Sequence, residues 1–294
     1  MRGGYHTRMG IADRLTPEAA RRAADRPLAR YAILGAGVLA CVVAVLPVLP
    51  FLASDRGVLG PTALDAAHPA SAAAALVLGA ALCCAVACAV GRLINAAVGL
   101  FVLGCGLAVV AGRSGTIVDA AFDADALRPM AIETLCWGVA VAAMSCVVFR
   151  VSGPLLDMPA RDRKAGFLSE AFNPDSLRGM AAGVVAVAAM WLVLRTEMKG
   201  QALGAAVVGG VAAAFLGRRA LGPAQPILLS AAPVLAVGLA QLWTSFTLKV
   251  PLDQAVAARA IPGWSMAMPI DVAAGALIGV PLGLGWSKPT EHED

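Results

Sequence analysis

Eight long apolar runs, of which six contain no charged residue and two contain a single acid, divide this chain of 294 residues. A helix needs roughly 20 predominantly apolar residues to cross about 30 Å of hydrocarbon, and every run is close to that length. Strands of a membrane barrel would alternate polar and apolar residues, whereas these runs are continuously apolar. The sequence therefore predicts an all-α integral membrane protein with about eight transmembrane helices, at residues 31–53, 70–90, 93–112, 130–149, 179–194, 201–217, 226–247 and 268–286.

The fifth and sixth runs are the shortest, and only residues 195–200 separate them. Two such segments can each cross the bilayer or can enter and leave it on one side as a re-entrant hairpin. The number of crossings stays even in both cases.

Basic residues are distributed unequally between alternate loops. Sixteen of the 23 Lys and Arg residues lie in the two tails and in the loops on the side of the N-terminus, and seven lie in the other loops. Basic residues are retained on the cytoplasmic side during insertion, so the pattern predicts that both termini are cytoplasmic. The net charge of +4 then faces an anionic lipid leaflet, and no nucleic acid is needed to explain it.

The order of the segments suggests two parallel four-helix halves. We expect a cytoplasmic tail with an amphipathic surface helix at 1–30, a first half at 31–149, a cytoplasmic linker at 150–178, a second half at 179–287 and an acidic tail at 288–294. The tetrapeptide that ends in Glu133 resembles the one that ends in Asp271. Parallel repeats of this kind occur in transporters.

Four polar residues are expected near the outer ends of the helices: Glu133, Asp271, Gln241 and Arg195. Acidic groups within hydrocarbon are unfavourable and often mark proton or ion pathways, which makes this set a candidate polar pocket. The alternative is structural, since acids also suit a helix N-terminus. A position about one turn into a helix lies only about 6 Å along its axis and therefore close to water.

Small residues recur at four-residue spacing on two of the predicted helices. Gly275, Gly279 and Gly283 form one stripe, and Gly104 and Gly112 belong to a second. Small side chains allow two helices in a membrane to approach closely. The stripes predict either packing within the chain or contact with a second copy or another membrane protein.

No catalytic, metal or cofactor site is indicated. The seven cysteines all lie inside predicted spans, where they suit apolar packing, and the histidines at 6, 68 and 292 all lie outside. A structural zinc site needs four ligands, usually including histidine. A GxGxxA pattern at 35–40 lies within one apolar run, without the strand that a dinucleotide site requires.

These features favour a small-solute or ion-coupled permease. The alternative is a non-catalytic membrane subunit or scaffold that packs with partners through its glycine-rich faces. Compact loops and frequent Ala, Gly and Arg residues indicate a bacterial inner membrane, with the lipid bilayer as the surrounding partner.

Overall fold

The structure, a computed structural model, describes residues 27–155, 157, 166–220 and 224–287. Within these ranges the chain is helical, and the only extended pairing is an isolated bridge between Ala53 and Leu59. Residues 1–26 of the predicted N-terminal tail and the acidic tail at 288–294 lie outside the described residues, and residues 27–30 of the predicted N-terminal tail belong to the first membrane helix. The described part of the 150–178 linker contains a short helix, Phe167–Ala171.

Eight principal helices follow one another along the described part of the chain. Short helices at Ile117–Ala120 and Leu252–Ala257 lie in the loops before the fourth and the last of them. The principal helices are α1 (Pro27–Val45), α2 (Pro69–Leu93), α3 (Ala96–Arg113), α4 (Leu127–Ser152), α5 (Gly183–Val193), α6 (Lys199–Ala220), α7 (Ala231–Thr247) and α8 (Pro269–Trp286).

Seven segments of the described chain are long and apolar enough to cross a membrane. They comprise α1 with the 3-10 turn Leu46–Leu52, then α2, α3, α4, the segment Pro174–Val193, α6 and α8. The remaining helix, α7, has 17 residues and would be about 25 Å long. The prediction of an all-α polytopic membrane protein is confirmed, and the helices carry exposed apolar side chains such as Leu39, Val77 and Val139 that contact lipid.

The fifth apolar segment is longer than the sequence indicates. Asn173 caps a short helix, Pro174–Met180, by accepting a hydrogen bond from the Ser176 N–H at 2.6 Å. This helix and α5 together give 20 residues, and α6 has 22. Both segments are therefore long enough to cross the bilayer separately.

The loops after α1, α3, α5 and α7 meet at one end of the bundle, here called the long-loop end. A hydrogen bond from the Gly115 N–H to the Gly60 carbonyl joins the first two of these loops. The opposite end, which holds the start of α1, is called the N-terminal end. There the Leu155 N–H donates to Gln225 Oε1 and so joins the loops that follow α4 and α6.

The most buried of the candidate spans is α8, which packs most extensively against α6 and also against α3. A Cβ atom at Gly275 or Gly279 would collide with Ala206 or with the Val207 carbonyl, and one at Gly283 would lie 2.5 Å from the Val211 carbonyl. The predicted glycine stripe therefore packs within the chain, because only glycine lets the two backbones come this close.

Of the second predicted stripe, Gly104 and Gly112 on α3, only Gly104 contacts another helix. At Gly104 a Cβ atom would lie 2.9 Å from the Ile278 backbone nitrogen, so this residue packs α3 against α8. Gly112 has no atom of another element within 4 Å of such a Cβ and takes no part in helix packing. Gly112 is exposed although Ala111 beside it is fully buried, so Gly112 faces away from the neighbouring helices.

The two glycines provide a matched test of helix packing. We expect Gly279→Ala to lower the free energy of unfolding by about 1 to 3 kcal/mol, because the added methyl group overpacks the α6–α8 contact. Gly112→Ala should leave stability unchanged or raise it by up to about 1 kcal/mol, because alanine has the higher helix propensity. Unfolding in mixed detergent micelles measures both, and equal effects of the two substitutions would contradict the packing assignment.

Candidate functional site at the long-loop end

A buried ion pair joins α6 and α8 at the long-loop end. Lys199 Nζ lies 2.9 Å from Asp271 Oδ2, and the exposed fractions of the two side chains are 16% and 0%. Lys199 is the first residue of α6 and Asp271 the third residue of α8, so the pair bridges the two helices that pack most closely. The other carboxylate oxygen, Oδ1, is buried without a hydrogen-bond partner.

Asp271 also stabilises the N-terminus of its own helix, α8. Its Oδ2 accepts a hydrogen bond from the Met268 N–H at 3.0 Å, and Pro269 occupies the first turn, where a missing N–H is tolerated. The structural interpretation, an acid at a helix N-terminus, is thus part of its role. The expectation that this position lies close to water is not met, because loops of the protein cover it.

Lys199 ties the pair to those loops. Its Nζ donates to the Gly115 carbonyl at 2.8 Å, and the Gly115 N–H donates to the Gly60 carbonyl at 3.0 Å. The loops after α1 and α3 therefore meet directly above the ion pair. A charge removed from water is retained only when it is paired and hydrogen-bonded, and the lysine has both kinds of contact.

Glu133 occupies the corresponding position in α4 but has a different partner. Its carboxylate oxygens accept from the Ala63 N–H at 3.1 and 3.3 Å, and the side chain is half-buried. Glu133 thus binds the loop before α2, the second helix of its half, and Asp271 binds the first residue of α6, the second helix of the other half. Glu133 does so through a backbone N–H, whereas Asp271 does so through Lys199.

Gln241 lies fully buried between α4, α7 and the loop that precedes α8. Its Oε1 accepts from the Thr134 hydroxyl at 2.6 Å, and its Nε2 donates to the carbonyls of Ala267 at 2.9 Å and Trp264 at 3.2 Å. Every hydrogen-bonding atom of this amide thus has a partner. Gln241 holds the loop before α8 against the bundle.

Arg195 does not join the other three residues. Its side chain is exposed, lies over the Trp191 ring at 5.7 Å and donates from Nε to the Leu192 carbonyl. The cation at this site is Lys199, which sequence reasoning counted only as a basic loop residue. A signal was available, because Lys199 and Asp271 start two predicted helices at the same end and carry opposite charges.

The four predicted residues do not line a common pocket. A cavity of about 690 Å³ at this end lies between the start of α4 and the end of α7, where Asp123, Arg128, Phe246 and Lys249 line it. Among the described residues, no three His, Cys, Asp or Glu side chains are placed to hold a metal ion.

A double-mutant cycle tests the ion pair. We expect Lys199→Met or Asp271→Asn alone to lower the free energy of unfolding by about 3 to 5 kcal/mol, because each leaves a buried group without its counter-charge. The double substitution should be less harmful than the sum of the two, with a coupling of about 1 to 3 kcal/mol. Arg195→Met is the control, with an effect within about 0.5 kcal/mol. Additive effects would rule out the pairing.

The Gln241 amide offers a second test. Gln241→Leu should lower the free energy of unfolding by about 1 to 3 kcal/mol, since the carbonyls of Trp264 and Ala267 lose a donor inside the protein. Gln254→Leu changes an exposed glutamine in the neighbouring short helix and should have little effect. Chemical unfolding of both variants in detergent measures the difference, and a fully stable Gln241→Leu protein would contradict the assigned contacts.

The arrangement consists of the buried ion pair of Lys199 and Asp271, the carboxylate of Glu133 and the fully hydrogen-bonded amide of Gln241. All of them lie at one end of a polytopic bundle. Such a site can hold a charge, exchange a proton or restrain a loop. Compared with models of protein families, with curated proteins and with solved structures, the chain matches none of them. The function has to be inferred from the geometry.

Proposed function

We propose that this membrane protein is a small-solute or ion-coupled permease in which Lys199 and Asp271 form the coupling site. The observation that carries the proposal is their buried ion pair between α6 and α8, with Asp271 Oδ1 left without a partner. Ionisable groups within membrane segments are unfavourable and typically serve proton or ion pathways. A proton or cation that breaks a bond between two helices allows these helices to move, and its binding is thereby coupled to that movement.

Helix α8 connects this pair to the opposite end of the bundle. Asp271 lies at its start, while Pro281 and Leu284 line a cavity at the N-terminal end. Pro281 lies inside the helix and removes one backbone hydrogen bond, which allows a bend there. In this proposal the long-loop end is closed and the N-terminal end is open, with α8 as the moving element.

The helix contacts support two related halves. In the first half α1 packs on α2 and α3, and in the second α5 packs on α6 and α7. Between the halves α3 packs on α8, and correspondingly α7 packs on α4. The contact between α2 and α3 departs from this pattern, because α6 and α7 touch only slightly. Parallel repeats with a site at their interface are a feature of transporters.

We further propose that the N-terminal end faces the cytoplasm of a bacterial inner membrane, in line with the excess of basic residues there. The open cavity would then receive solute from the cytoplasm. The alternative role as a scaffold was motivated by the glycine stripe of α8, and that stripe is occupied by α6. It therefore no longer argues for an external partner.

Transport assays test the proposal. Purified protein in liposomes on a solid-supported membrane should give a charge-translocation current with at least one class among amino acids, carboxylates, sugars and organic cations. The current should fall about tenfold or more in Asp271→Asn, because an amide carries neither the charge nor the proton. Glu133→Gln, which keeps an oxygen for the Ala63 N–H, gives a second variant that retains the loop contact.

Asp253→Asn is the matched control, since Asp253 is an exposed acid at the same end. Its current should equal that of the wild type, and melting temperatures should be recorded for all variants. The proposal fails if folded wild-type protein gives neither current nor solute flux across the whole panel. It also fails if Asp271→Asn transports normally.

A further inference from the structure

A cavity of about 530 Å³ opens at the N-terminal end, between α1, α3, α6 and α8. Among the described residues of its lining, Arg30 and Arg218 are cations and Asp157 is a carboxylate. The cavity is separate from the ion pair of Lys199 and Asp271, which lies at the other end of the bundle. Its charge favours an anionic occupant.

Arg218 is held rigidly in the wall. Its side chain is 7% exposed, Nη1 donates to the Leu284 carbonyl at 2.9 Å, and Nη2 lies 2.6 Å from Asp157 Oδ2. Asp157 is itself 53% exposed, so water weakens its hold on the guanidinium. A guanidinium has five N–H donors in a planar fork that matches phosphate geometry, and two bonds leave donors for a further acceptor.

The start of α3 adds a second source of positive potential. Asn95 caps this helix of 18 residues by accepting from the Val98 N–H at 2.9 Å, and both residues line the cavity. Backbone N–H groups and the helix dipole favour an anion at such a terminus. The fixed arginine and the helix start therefore act on the same cavity.

The remainder of the lining is apolar. Leu34, Phe101 and Leu282 extend the cavity toward the middle of the bundle. Phe101 lies six residues beyond Asn95 in the chain, about 9 Å along the axis of α3. The cavity thus has a cationic part near the helix ends and an apolar part deeper in the bundle, which is the arrangement that an amphiphile requires.

We propose that this cavity is a specific site for the phosphate headgroup of an anionic phospholipid, with the Arg218 guanidinium and the start of α3 as its recognition elements. A lipid fits better than free phosphate, because the apolar lining would contact its glycerol and acyl groups. Basic pockets between helices are a recognised means of binding anionic lipids. The site does not depend on the proposed transport activity.

Native mass spectrometry of the full-length, delipidated protein tests this site. Wild-type protein should retain phosphatidylglycerol in preference to phosphatidylcholine. Arg218→Gln should weaken that binding about tenfold, the equivalent of one charge-assisted hydrogen bond. Arg219→Gln is the matched control, because Arg219 is next to Arg218 in the chain but is exposed and lies over the Phe215 ring at 4.7 Å. It should bind phosphatidylglycerol as the wild type does.

Ala97→Phe provides a variant that leaves the pair of Arg218 and Asp157 intact and fills the cavity instead. It should abolish the preference for phosphatidylglycerol without loss of the fold. Equal binding of the two lipids by the wild type would overturn the proposal, as would equal losses in Arg218→Gln and Arg219→Gln. Displacement of the lipid by excess inorganic phosphate would assign the site to a free anion and overturn the lipid assignment.

Discussion

The close approach of α6 and α8 is the contact on which the rest of the bundle depends. Lipid tails are as apolar as leucine, so helices in a membrane associate mainly through packing. Gly275, Gly279 and Gly283 allow the α8 backbone to lie against α6, and Gly104 allows α3 to approach from another side. With neighbours on several sides, α8 becomes the most buried span, and its polar groups must find partners within the protein.

This burial explains the chemistry at the long-loop end. Asp271 begins a helix that the bundle encloses, so its carboxylate is enclosed as well and requires a counter-charge. Lys199 begins the helix that packs most closely on α8 and is therefore the residue within reach. The loops then cover the pair, since Lys199 also binds the Gly115 carbonyl. The position of the ion pair follows from the packing of α6 and α8.

The sequence predicted the helices and the end at which Glu133, Gln241 and Asp271 lie, because both follow from apolar length and alternation. It did not predict which groups meet. Lys199 was missed and Arg195 chosen, although both lie between the fifth and sixth runs, because only the three-dimensional packing turns Lys199 toward α8. Gly112 was grouped with Gly104 by spacing alone, yet Gly112 is exposed and faces away from the other helices. Helices apolar on every side carry no periodic signal of their partners.

The two carboxylates show how similar positions can differ in chemistry. Glu133 is the seventh residue of α4 and Asp271 is the third residue of α8, the last helices of the two proposed halves. Glu133 binds the loop before α2, and Asp271 binds the first residue of α6. Glu133 is half-buried and accepts from a neutral N–H, whereas Asp271 is fully buried and faces an ammonium. A carboxylate with a cationic partner stays bound only while both groups keep their charge. Protonation would therefore remove an ion pair at Asp271, whereas at Glu133 it would weaken a hydrogen bond to a neutral group.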